Sequence, residues 1–238
     1  MQAVILAGGL GKRLRPLTEN IPKPMVTVLG RPYLEYQINW LRLNKICKVL
    51  LLTGYLGEKI ESYFGDGSLF GVDITYSKEP NALGTGGGLK YAEDKLENRF
   101  ILVYGDSFLP LIFSDLINHF LKINKTAVVV VCDNNICDTC VMNNILLDKN
   151  GLIMKYKKNS RNEDLNYVEA GVMIFNKNIV NLIPKNRVVS LEEEIFQILI
   201  EKKELNGYIS EKIFYDIGTE DRLKRFEKVV QSNIFSFL

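Results

Sequence analysis

Apolar residues in the first half of the chain fall in short continuous runs, separated by stretches with helical spacing. Residues 4–6, 48–53 (KVLLLT), 73–76, 100–103 (FILV) and 126–132 (TAVVVVC) read as strands. Between them, residues 32–44 carry Leu34, Ile38, Trp40 and Leu41 at helical spacing. Residues 59–64, 87–94 and part of 109–122 also read as helices. Strands buried on both faces show as unbroken apolar runs, and their alternation with helices implies a parallel sheet. In such sheets, ligands bind outside the carboxyl ends of the strands.

The second half is more mixed. Residues 144–147, 153–156 and 171–175 read as strands, 191–201 as a helix and 220–230 as a closing helix. Ser190 is the expected N-cap of the 191–201 helix, with Glu193 completing a capping box. No linker, repeat or low-complexity stretch interrupts the pattern. The expectation is one α/β domain over residues 1–238: a Rossmann-like, mostly parallel sheet flanked by helices, with a small antiparallel extension in the second half.

Composition narrows the function. Of 238 residues, 47% are hydrophobic and 24% charged, as in ordinary globular proteins. The net charge is +2, from 30 basic and 28 acidic side chains, too balanced for a nucleic-acid partner. Any anion site must come from local residues and backbone amides. The N-terminal apolar run is short, lacks a basic leader and ends in glycines, so it is not read as a secretory signal. No apolar stretch is long enough to span a membrane, and a cytoplasmic location is expected. The cysteines are Cys47, Cys132, Cys137 and Cys140. Cys137-x-x-Cys140 invites a zinc or redox reading. Zinc needs four ligands, His119 lies in another segment, and there is no second C-x-x-C. Reduced, partly buried thiols on a strand and its exit loop are expected instead.

The first strand runs directly into Leu6-Ala7-Gly8-Gly9-Leu10-Gly11-Lys12-Arg13-Leu14. Closely spaced glycines let the backbone adopt positive φ and approach a ligand, and the amides of such a turn bind phosphate oxygens. Arg13 adds a planar, permanently charged fork suited to phosphate. Lys12 either adds charge or is simply solvated. Neither of the two commonest nucleotide loops is met: Leu14 stands where G-x-G-x-x-G needs its third glycine, and G-x-x-x-x-G-K-[ST] is absent. Pro22-Lys23-Pro24 follows. Prolines on both sides hold the segment extended and fix the direction of Lys23, suiting it to neutralise charge that develops in phosphoryl transfer.

Together, G-G-x-G-x-R-L followed by P-K-P resembles the sugar-phosphate nucleotidyltransferase family, which includes glucose-, mannose- and heptose-1-phosphate nucleotidylyltransferases. The resemblance continues through Gly84-Thr85-Gly86-Gly87, Tyr104-Gly105-Asp106, Glu169-Ala170-Gly171-Val172 and Asp216-Ile217-Gly218-Thr219, to about residue 230. It implies that an NTP and a sugar 1-phosphate react, with Mg²⁺, to give a nucleotide-diphospho-sugar and pyrophosphate, as in activated-sugar supply for surface polysaccharide. Short chains of this type resemble the heptose- and mannose-1-phosphate guanylyltransferases, which points to GTP, with CTP and dTTP left open. Residues 1–132 would form the nucleotide-binding core and 133–230 the sugar-phosphate part.

By the same resemblance, Leu6, Ala7, Gly8, Gly9, Gly11, Lys12, Arg13 and Asp106 contact the nucleotide, and Arg13, Lys23 and Asp106 are the catalytic residues, with Lys23 stabilising the transition state. Glu79, Gly84 and Thr85 fall where the family contacts base and ribose. The glycines at 84–88 also precede a helix, where amides are free, or else make a flexible turn. Asp106 and Asp216 match the metal aspartates and follow apolar strand residues; each also suits a turn or helix cap. Tyr104, Lys158, Glu169 and Gly171 fall on the sugar-phosphate side. The departures lie there too. Lys157-Lys158-Asn159 stands where the family usually has Glu-Lys-Pro, and Glu169 replaces an asparagine. Glu169 either binds sugar hydroxyls or pairs with Lys157 or Lys158. These changes leave the sugar open and admit a phosphorylated non-sugar alcohol.

Other readings fit less well. A GT-A glycosyltransferase needs D-x-D, and Asp106-Ser107-Phe108 lacks the second aspartate. A non-catalytic nucleotide or sugar-phosphate sensor has no use for Arg13, Lys23, Asp106 and Asp216 together. A nicotinamide-dependent oxidoreductase lacks its glycine pattern. Residues 231–238 end in Ile-Phe-Ser-Phe-Leu, which suits either packing in a homodimer or a frayed terminus.

Overall fold

The computed structural model describes residues 1–137, 139–158 and 164–232. The chain is α/β, with mixed, mostly parallel strands flanked by helices. It packs into two compact units, and each draws on discontinuous segments. The first comprises 1–82, 103–108 and the chain from 215 onward; the second comprises 83–102 and 109–214. The units are therefore interleaved along the sequence.

In the first unit, the strands Gln2–Leu6, Lys48–Thr53 and Asp73–Lys78 pair in parallel, with Ile5 opposite Leu51 and Leu51 opposite Tyr76. The continuous apolar runs of Gln2–Leu6 and Lys48–Thr53 are buried, as the pattern requires, whereas burial alternates along Asp73–Lys78. The helices Tyr33–Leu43 and Gly57–Phe64 connect them. The closing helix, Glu220–Gln231, starts at the N-cap Thr219 and buries Leu223 and Phe226. Phe226 packs edge-on to Tyr33, with ring centres 4.9 Å apart, and against Phe108 at 5.4 Å. These rings fasten the closing helix to the antiparallel pair Ser107–Phe108 and Tyr215–Asp216.

In the second unit, the strand Ala127–Asp133 pairs in parallel with Leu205–Ser210 and antiparallel with Tyr167–Asn176. The strands Ile145–Leu147 and Ile153–Tyr156 form the expected antiparallel extension. Along Tyr167–Asn176 the register shifts between Glu169 and Met173, and Gly171 sits inside that bulge with φ +73°. Bulges of this kind re-aim neighbouring side chains.

Three helices differ from their expected form. The helix expected over 87–94 starts at Gly84 and runs to Tyr91, so the glycine segment is the helix rather than its approach. Tertiary bonds override the poor helix propensity of glycine: the Gly86 and Gly87 amides both donate to Val189 O. The helix within 109–122 is Phe113–Ile123, because Pro110 disfavours helical geometry just before it. The 191–201 helix opens with a π-helical turn, Leu191–Ile195, before the α-helix Phe196–Glu201. Ser190 caps it, its hydroxyl accepting from the Glu193 amide at 3.1 Å. The reciprocal bond comes from Glu194, which accepts from the Ser190 amide at 3.1 Å. A wider turn carries the returning carboxylate one residue further along than in an α-helical capping box.

Among the described residues, no helix is long and apolar enough to cross a membrane. Residues 233–238 and Asn159 lie outside the described residues. Cys132 and Cys137 are buried, Cys47 and Cys140 are exposed, and all four are free thiols.

Candidate active site

In the first unit, the Gln2–Leu6 strand delivers the chain into the glycine loop. Gly11 takes φ +60°, a conformation that side chains with a Cβ rarely adopt, and its carbonyl accepts from the Thr18 hydroxyl at 2.8 Å. A tight turn, Lys12–Leu14, follows and leaves Lys12 and Arg13 exposed while Leu14 is buried. Among the described residues, no backbone carbonyl takes the amides of Gly8 to Arg13. Such a row of unspent donors is what a phosphate group needs. Glu79 lies beside this loop, its Oε1 3.0 Å from where a methyl on Gly8 would sit.

Asp106 reaches the same loop from another strand. The Gly105 amide donates to Leu6 O at 3.0 Å, laying the Tyr104-Gly105-Asp106 turn against the start of the glycine loop. Gln37, buried in the helix Tyr33–Leu43, pins the turn by donating to Tyr104 O at 2.8 Å and Ser107 O at 2.6 Å. Pro22 is extended, and Lys23 opens a short turn that aims its ammonium at Asp106, with Nζ 2.5 Å from Oδ2. Burial by itself raises a carboxyl's pKa. At Asp106 the charge of Lys23, its hydrogen bond and the charge of Arg13 outweigh burial and hold the group below the usual range.

Asp216 stands opposite Ser107 in the short antiparallel pair, and the Ile217 amide donates to Asp106 O at 3.0 Å. Asp106 and Asp216 both act on the buried Tyr33 hydroxyl, which burial first and then these two charges push well above its ordinary pKa. Asp216 accepts from Arg222 Nη1 with both carboxylate oxygens, each at 3.0 Å, and from the Gly218 amide at 2.7 Å. A methyl on Gly218 would sit 2.6 Å from Asp216 Oδ1, 3.4 Å from Arg222 Nη1 and 3.6 Å from Arg13 Nη2. Three charged groups thus converge on one backbone position that only glycine leaves open. Among the described residues, no three acidic, histidine or cysteine side chains cluster as a metal cage.

The second unit holds the remaining expected residues. Thr85 lies in the first turn of the Gly84–Tyr91 helix. Its hydroxyl donates to Glu192 Oε2 at 2.8 Å and accepts from the Leu191 amide at 2.9 Å. Ser190 donates to the same Glu192 oxygen at 2.7 Å. Glu169, beside the Gly171 bulge, accepts from the Tyr156 hydroxyl at 2.5 Å, and its amide donates to Asn144 Oδ1 at 3.0 Å. Burial, then the Glu169 charge and hydrogen bond, raise the Tyr156 pKa far above its ordinary value, so it stays a neutral donor. Glu169 and Glu192 are only 9% and 2% exposed, two buried carboxylates held by hydroxyl donors. Lys157 and Lys158 are exposed at the end of the Ile153–Tyr156 strand.

Arg222, Gln37, Tyr156 and Glu192 are absent from the sequence reading. Arg222 carried one local signal, its place in the first turn of the helix after Asp216. Glu192 lay in an acidic run readable only as helix-start chemistry. Gln37 and Tyr156 gave no sign beyond an apolar pattern.

The family model described as nucleotidyl transferase matches residues 2–232. A mannose-1-phosphate guanylyltransferase of Mycobacterium tuberculosis is 31% identical over 228 residues, covering 94% of this chain and 63% of that protein. A D-glycero-alpha-D-manno-heptose 1-phosphate guanylyltransferase of Aneurinibacillus thermoaerophilus is 30% identical, covering 98% of this chain and 100% of its own. The crystal structure of HddC from Yersinia pseudotuberculosis complexed with GMP-PN shares the fold, with TM-score 0.81, 23% identity and coverage of 96% of this chain and 99% of that one. With the glycine loop, Lys23 and Asp106 assembled as the motifs imply, the chain belongs to the nucleotidyltransferase family, among its sugar-phosphate members.

Proposed function

We propose that this protein transfers the guanylyl group of GTP to mannose 1-phosphate or a manno-configured heptose 1-phosphate, releasing pyrophosphate. The observation that carries the reading is the Lys23–Asp106 pair, fixed against a glycine loop whose amides are unspent. An oxygen of the sugar phosphate attacks the α-phosphorus, the new P–O bond forms, and the bond to the β-phosphate breaks. The leaving pyrophosphate carries away the electron pair. Both reactants are anions, so positive charge must offset their repulsion. The amides of Gly8, Gly9 and Gly11, with Arg13, bind the triphosphate. Lys23 meets the charge that develops at the α-phosphate. Glu79, Gly84 and Thr85 serve the nucleoside. Tyr104, Lys158, Glu169 and Gly171 serve the sugar phosphate, with Glu169 accepting from sugar hydroxyls while Tyr156 holds its other face.

Asp106 and Asp216 are the residues that would hold Mg²⁺. They fit: both are hard oxygen donors, Asp216 in a strand pair and Asp106 in the turn that leads into it, and Mg²⁺ takes only one or two protein carboxylates when substrate phosphates and water complete its shell. When bound, the ion would supply positive charge against the phosphates. GTP and a manno-configured acceptor are supported by the names of the relatives, which include mannose- and heptose-1-phosphate guanylyltransferases. The product, an activated sugar, suits glycosyl transfer into polysaccharide in the cytoplasm.

Mass spectrometry of reactions containing Mg²⁺, each NTP and each of a panel of sugar 1-phosphates tests the reading. A GDP-sugar from a manno-configured acceptor is expected. A nucleotide sugar with another base or acceptor would correct the substrates and keep the class. If no combination yields a nucleotide sugar, the function is wrong.

A further inference from the structure

The proposed reading treats Asp216 as a metal ligand, yet both of its oxygens are engaged by one side chain. Arg222 Nη1 lies 3.0 Å from Oδ1 and from Oδ2, straddling the carboxylate where a chelated cation would sit. The contact is half sheltered, with side-chain exposures of 27% for Arg222 and 12% for Asp216. Asp106 is paired through Oδ2 with Lys23. Each carboxylate is thus balanced by a cation from the chain itself, which relieves the repulsion between two neighbouring acids.

We infer that Arg222 is an exchangeable counterion, which divalent cation must displace from Asp216 and which, once displaced, turns its guanidinium to substrate phosphate. This inference rests on the reading of Asp216 as a ligand. Two features make the exchange feasible. Arg222 is in the first turn of the Glu220–Gln231 helix, where its backbone is fixed by the Thr219 cap while the side chain remains partly in water. The Gly218 geometry already brings the Arg222 and Arg13 guanidinium groups to one spot, so a released Arg222 joins a phosphate-binding arginine without crossing the unit. Planar guanidinium forks suit phosphate oxygens as well as carboxylate ones. Arg222 is therefore a positioning residue in the resting protein and a substrate contact after exchange.

The test uses the full chain without substrates, titrated with Mn²⁺ and followed by electron paramagnetic resonance. A resident competitor weakens metal binding, so R222Q should tighten Mn²⁺ affinity about two- to fivefold, the scale of a partly exposed ion pair. R222K, which keeps the charge but not the fork, should fall between. R225Q removes a positive charge from the same helix and should leave affinity near wild type, because Arg225 faces the Tyr215 ring. D216N should weaken binding. Circular dichroism on each variant checks folding. If R222Q binds Mn²⁺ no more tightly than wild type while D216N weakens it, Asp216 is a ligand and the exchange is refuted. Equal tightening in R222Q and R225Q also refutes it, since only the general field would then matter. If D216N leaves affinity unchanged, both the ligand role and the exchange fail, whereas the nucleotide-sugar assay stands apart from this result.

Discussion

At the scale of single residues, the proposed chemistry rests on Lys23 and on Asp106, the carboxylate it pairs with. K23A should lower the rate of pyrophosphate release about 100- to 1,000-fold, the effect of removing one aimed electrostatic donor. Stopped assays on folded protein check this. Asp106 also links the site to stability. Its folded pKa lies below the ordinary carboxylate value, so the ionised pair stabilises the fold fully above about pH 4. That contribution fades as the pH falls through the ordinary value and then through the depressed one. Urea unfolding of wild type and D106N should therefore show D106N less stable at pH 7, with the gap closing toward pH 3. A gap that widens in acid would contradict the pairing. The cysteines give a separate check. Burial pushes the Cys132 thiol up to about 12 and also raises Cys137, whereas Cys47 and Cys140 are exposed. Disulfide-reagent titration at pH 8 should label two thiols quickly and the other two only on unfolding.

At the scale of elements, the aromatic cluster around Phe226 holds the closing helix, and with it Arg222, against the strands that carry Asp106 and Asp216. F226A should cost about 3–5 kcal/mol in thermal or urea unfolding, typical of a phenylalanine removed from a packed core. It should also impair the reaction, because Asp216 and the Asp106 turn lose the backing of the Ser107–Phe108 and Tyr215–Asp216 pair. What could be read from the sequence follows how local each signal is. The glycine loop, Pro22-Lys23-Pro24 and the strand runs are contiguous, so their chemistry showed directly. The helix start at Gly84 did not, because glycines argue against a helix until Val189 is known to accept two of their amides. The capping carboxylate moved from Glu193 to Glu194 because a π turn cannot be seen in composition. Tyr156 and Gln37 act through partners 13 and 67 residues away, and no local pattern marks such pairs.

At the scale of the whole molecule, two units interleave along the chain. The Lys23–Asp106 and Arg222–Asp216 pairs lie in one, and Glu169 and Glu192, buried carboxylates held by hydroxyl donors, lie in the other. The sugar side carries its own expectation. Y156F removes the donor to Glu169 and should raise the KM for the sugar phosphate more than that for the NTP, as steady-state kinetics would show. The most direct measurement is the rate of pyrophosphate release by wild type and D106N, with Mg²⁺, GTP and mannose 1-phosphate or a manno-heptose 1-phosphate. Release should require both substrates and collapse in folded D106N. Release without the sugar phosphate, or undiminished release in D106N, would contradict nucleotidyl transfer at this site.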